Sequence, residues 1–119
     1  MKNAWARPGA TGDNGAVYLV IENGTAQEDQ LLSAQTDIAT AVELHLSQMQ
    51  GDHMSMHRQE QVVLPAGEAV EFSPGGLHIM LVGLQRDLKV SETFEVKLQF
   101  EHAGEKTITV TVKDDVNDD

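Results

Sequence analysis

The chain has 119 residues, no Cys, and a net charge of −11 from 19 acidic and 8 basic side chains. A chain of this size forms one domain with an ordinary core. The missing thiol excludes a disulfide framework, a zinc finger, an iron–sulfur cluster, a Cys nucleophile and a blue-copper site, and the charge argues against nucleic acid and anionic membranes, both of which are gripped by clustered Lys and Arg.

At the N-terminus Met1-Lys2-Asn3 leads straight into Ala4-Trp5-Ala6-Arg7-Pro8, with no apolar export segment. The expectation is either a cytosolic protein or a mature form whose signal has been removed. From there the dominant period is two, the mark of strands that bury one face. Val17-Leu19-Ile21, Val42-Leu44-Leu46, Val62-Leu64 and Val70-Phe72 are short examples. The strongest are Phe94, Val96, Leu98 and Phe100 against Glu95, Lys97 and Gln99, then Ile108, Val110 and Val112 against Thr107, Thr109 and Thr111. Turn residues separate the runs at Gly12-Asp13-Asn14-Gly15, Asn23-Gly24, Gly51-Asp52, Pro65-Ala66-Gly67, Ser73-Pro74-Gly75-Gly76 and Ala103-Gly104. Asp37 to Leu46 has some helical character, but its alternation favours a strand.

These patterns predict an all-β antiparallel sandwich of about eight strands. It is a single domain over 1–119, with its core at about 4–113 and an acidic tail at 114–119. No apolar run approaches the roughly 20 residues of a membrane helix.

Soft metal donors cluster between positions 45 and 80, where four of the five Met (Met49, Met54, Met56, Met80) and four of the five His (His45, His53, His57, His78) fall. Thioether and neutral imidazole together favour Cu(I). His45 lies on the strand face opposite Val42, Leu44 and Leu46, so it points away from the core. An even-length hairpin loop after it brings Met54 and Met56 to the same face, and a two-residue loop at Gln50-Gly51 sets His45 directly opposite Met56. A three-residue loop would bring His53 and His57 there instead. His78 and Met80 share a face, and Pro74-Gly75 before them predicts a type II turn that holds the pair near a loop. Met49 is expected in the core, and His102 on the surface. Catalysis finds little support. No Gly-x-Ser-x-Gly or P-loop is present, and no His-plus-carboxylate triad appears at tight spacing, the nearest acid to His78 being Glu71.

The spacing of His45, ten residues, Met56, twenty-one residues, then His78-Ile79-Met80 resembles the signature of the periplasmic copper-chaperone family PCuAC. Further similar segments are Ala4-Trp5-Ala6-Arg7-Pro8, Gly15-Ala16-Val17-Tyr18-Leu19, Val42-Glu43-Leu44-His45 and Pro74 to Leu81. Leu46 departs from the family, standing where many members carry a second Met, as does Asp87 in place of a Pro. His53 and Met54 add donors that could take a second ion. The resemblance implies a cupredoxin-like Greek-key β-sandwich in the periplasm with His45, Met56, His78 and Met80 as Cu(I) ligands. It also implies a non-enzymatic monomer that delivers copper to the CuA centre of cytochrome c oxidase subunit II, directly or through a Sco-type protein. The alternatives are a β-sandwich interaction module, or a Cu(II) or Zn(II) protein that would rely on His alone.

Overall fold

The computed structural model describes residues 2–50 and 53–113, with side chains described over 4–47 and 55–113. The acidic tail, Gly51-Asp52, and the side chains of Met49, His53 and Met54 lie outside the described residues, and with them the assignments made for those positions. Ten strands follow one another: β1 (Lys2–Ala6), β2 (Gly15–Glu22), β3 (Asp29–Gln35), β4 (Ala39–Gln50), β5 (His53–Gln59), β6 (Val62–Leu64), β7 (Ala69–Phe72), β8 (Leu77–Leu84), β9 (Thr93–Phe100) and β10 (Gly104–Val112). They join in the order β5-β4-β8-β7-β2-β1-β10-β9-β3-β6, with β8 also paired to β2. Curled on itself, this sheet is nearly closed.

β9 is buried at every second residue, from Phe94 through Val96 and Leu98 to Phe100. It pairs along its whole length with β10, where Val110 and Val112 are buried. From the other half of the sheet Val17, Leu19, Leu44, Phe72, Ile79 and Leu81 meet these residues in one core. The segment with some helical character is the start of β4.

Two expectations need correction. The strand count is ten among the described residues, the additions being β1 and β3. In β3 the buried positions are Leu31 and Ala34, three apart, because a register shift between Leu31 and Ser33 interrupts the alternation. The sheet is also not wholly antiparallel, since β1 runs parallel to β10 and β7 parallel to β8.

Candidate metal centre

The alternation that turns Ile79 and Leu81 into the core sends His78 and Met80 out through the other face of β8. The type II turn forms as expected: the Gly76 amide donates to the Ser73 carbonyl at 2.9 Å, and Gly75 takes φ +85°. Gly76 then serves the site directly. Its carbonyl accepts the Ser47 amide at 3.1 Å and lies 3.1 Å from His78 Nδ1.

Beside β8, β4 sets His45 opposite His78 and Glu43 opposite Met80. The two imidazole centroids are 5.7 Å apart. Beyond His78, Tyr18 of β2 follows at 6.5 Å and Trp5 of β1 at 4.9 Å from Tyr18, with the Arg7 guanidinium 5.8 Å from the Trp5 ring centroid. Four rings from four strands thus form a row, and their mutual cover leaves His78 only 5% exposed although it faces away from the core.

A carbonyl only accepts, so His78 Nδ1 carries the proton and Nε2 keeps the lone pair. His45 is held the other way round. Its Nε2 lies 2.8 Å from Glu43 Oε1, and its Nδ1 is buried without a hydrogen-bond partner. The hydrogen bond from His45 holds the Glu43 carboxyl below its ordinary range, with the charge of Arg58 adding to the effect. Burial pushes the His78 imidazole below 6.5, and the nearby His45 adds to this against the Gly76 carbonyl.

The fourth expected donor is placed differently. Gln50 pairs with His53, so two residues, Gly51 and Asp52, separate the strands, and His45 stands opposite Arg58 while Met56 stands opposite Ser47. Direct opposition of His45 and Met56 is therefore corrected by one pleat. Gly-Asp is better turn material than Gln-Gly here, which lengthens the hairpin by one pair. The even loop still puts Met56 on the His45 face and His57 on the other, which removes the three-residue alternative. Met56 lies diagonal to His45, is 55% exposed, and sits on the edge strand. Relative to Met80 it is four residues along, roughly 13 Å. His45 and His78 are thus side by side, while Met80 and Met56 share their face and flank His45 diagonally from β8 and β5, at opposite ends.

Glu43 was not singled out from the sequence. Its position two residues before His45 was the available signal, because residues i and i+2 of a strand share a face. His102 lies exposed in the turn between β9 and β10. Among the described residues no group of three or more His, Cys, Asp or Glu is placed to hold a metal ion.

The family model described as "Putative lipoprotein LpqE-like" matches residues 1–112. "Putative lipoprotein Lxx21020" of Leifsonia xyli subsp. xyli is 27% identical over 115 residues, covering 96% of this chain and 69% of the relative. "Uncharacterized protein RP573" of Rickettsia prowazekii is 28% identical over 116 residues, covering 93% of this chain and 64% of the relative. The chain thus spans roughly two thirds of the length of these relatives. Among solved structures, the apo PCuAC domain of PmoF1 matches with a TM-score of 0.79 at 25% identity, over 94% of this chain and 90% of that one. The copper-bound PCuAC domain of PmoF2 matches with 0.79 at 26%, over 94% and 89%. Cu(I)-bound DR1885 of Deinococcus radiodurans matches with 0.71 at 28%, over 97% and 79%. The expected cupredoxin-like fold stands.

Proposed function

This chain belongs to the LpqE-like family, the family of the PCuAC domains, and on that premise we propose that it carries Cu(I) and hands it to an acceptor protein. The observation that supports this most is the His45 and His78 pair, with centroids 5.7 Å apart and His45 Nδ1 buried without a partner. An unpaired buried polar atom costs about 1–3 kcal/mol. A cation at that lone pair removes the cost.

The ligands are His45, His78 and Met80, with Met56 as a fourth donor. Two thioethers and two neutral imidazoles suit a soft monovalent ion, whereas a harder ion gains little from the thioethers. Met56 offers its thioether from β5, which among the described residues pairs with β4 only, on the face of His45 and diagonal to it. That exposed methionine is also the donor an acceptor meets first.

The role is that of a carrier without catalysis of its own. The lipoproteins among the relatives support an extracytoplasmic location, and no helix among the described residues is long and apolar enough to cross a membrane. Delivery to the CuA centre of cytochrome c oxidase subunit II, directly or through a Sco-type protein, is the destination we assign from the PCuAC resemblance.

An anaerobic titration against a chromogenic Cu(I) chelator tests the reading. Wild-type protein should retain one equivalent, His78→Ala and Met80→Ala should each weaken binding about tenfold or more, and Met56→Ala should weaken it less. Failure to hold one equivalent, or an unchanged affinity in Met80→Ala, would overturn it.

A further inference from the structure

We infer that Glu43 is a positioning residue for the ion: by accepting the Nε2–H of His45 it fixes ring and tautomer so that His45 binds through Nδ1, while His78 binds through Nε2. This rests on the Cu(I) reading, although its first test needs no copper.

Two residues apart on β4, Glu43 and His45 share one face, and their contact of 2.8 Å is short enough for a charge-assisted hydrogen bond. A carboxylate that accepts at Nε2 leaves a neutral imidazole with its only lone pair on Nδ1. That atom is the buried, unpartnered one. Across the strand pair, His78 makes the complementary choice, with the Gly76 carbonyl at Nδ1 and the lone pair on Nε2. The two rings are thus committed in opposite senses by acceptors of different kinds, one a side chain and one the backbone.

Only the side-chain acceptor can be removed by mutation. Without it the His45 ring is free to turn over about its Cβ–Cγ bond, which carries Nδ1 away from the ion, or to exchange tautomers, which puts a proton on the Nδ1 lone pair. Arg58, in register with His45 on β5, helps to keep the Glu43 carboxylate charged. Met80 stands opposite Glu43 on β8, so the same carboxylate borders the thioether. It also supplies a negative charge beside a cation whose direct ligands are all neutral. An amide oxygen in place of the carboxylate keeps the acceptor and removes the charge, which separates orientation from electrostatics.

The test has two arms. In metal-free protein at pH 8, long-range ¹⁵N–¹H NMR should show His45 with Nδ1 unprotonated and Nε2 protonated, and Glu43→Leu should move both nitrogens toward averaged values. In the chelator competition, Glu43→Leu should weaken Cu(I) binding by about 10- to 100-fold, the range found when a partner behind a metal ligand is lost, and Glu43→Gln should stay within a few-fold of wild type. Urea unfolding establishes that each variant folds; should Glu43→Leu fail to, the wild-type tautomer and Glu43→Gln still decide. A wild-type His45 protonated on Nδ1, equal affinity in Glu43→Leu, or Glu43→Gln falling as far as Glu43→Leu would each overturn the inference. So would a copper–oxygen shell in X-ray absorption that disappears in Glu43→Gln, since Glu43 would then be a ligand. If wild-type protein holds no Cu(I) while the tautomer is as expected, it is the carrier reading that fails.

Discussion

At the scale of single residues, the site depends on what each imidazole can do with its second nitrogen. Burial holds the His78 imidazole below 6.5, so in the metal-free protein the folded state resists a proton that the unfolded chain accepts at the ordinary value. Between those two pH values the unfolded state binds more protons, and stability falls as the pH falls. The contribution is complete above about pH 6.5 and is lost on acidification through the folded-state value. The His78 ring should titrate below 6.5 by NMR, and His78→Gln should lose less of its urea midpoint than wild type between pH 7.5 and 5. Position 46 shows the same logic of facing. Leu46 pairs with His57 and Leu77 on the opposite face from His45, so a methionine there would point away from the paired imidazoles. Asp87, the departure from the family's Pro, ties two loops together by accepting the Thr11 amide and hydroxyl at 2.8 and 2.9 Å.

At the scale of elements, β8 was legible in outline and its neighbours were not. The His-x-Met spacing and the Pro-Gly turn before it were both visible, because each follows from local geometry. Gly75 sits at φ +85° with open space where a Cβ would go, so Gly75→Ala meets a backbone penalty and no steric clash. It should lower unfolding free energy by about 1 kcal/mol, read from urea midpoints, and weaken Cu(I) binding in step as Gly76 loses its hold on His78. The β4–β5 register shows what such reading misses. An even loop puts Met56 on the His45 face and an odd one puts His57 there, and neither that parity nor the absolute pairing is readable from the strands alone, because both alternations suit either loop. β3 carries no readable alternation for a related reason, as a bulge replaces a period of two by a spacing of three.

At the scale of the whole molecule, the core beneath the site holds its two faces in register. Ile79 lies between His78 and Met80 in sequence, points the opposite way, and is fully buried. Ile79→Ala should therefore cost about 2–5 kcal/mol in urea unfolding, with β8 loosened on both sides of the sheet. Local pattern was enough for the all-β class, the faces of β4 and β8, the type II turn and the donor types, since alternation, turn chemistry and ligand softness act over a few residues. The folded chain was needed to show that β4 and β8 are neighbours with His45 opposite His78, that Tyr18 and Trp5 extend the row, that Glu43 holds His45, and that Met56 shares the His45 face from an edge strand. Strand order and register are settled by contacts between residues far apart in the chain, and no local pattern records which strand a given face will meet.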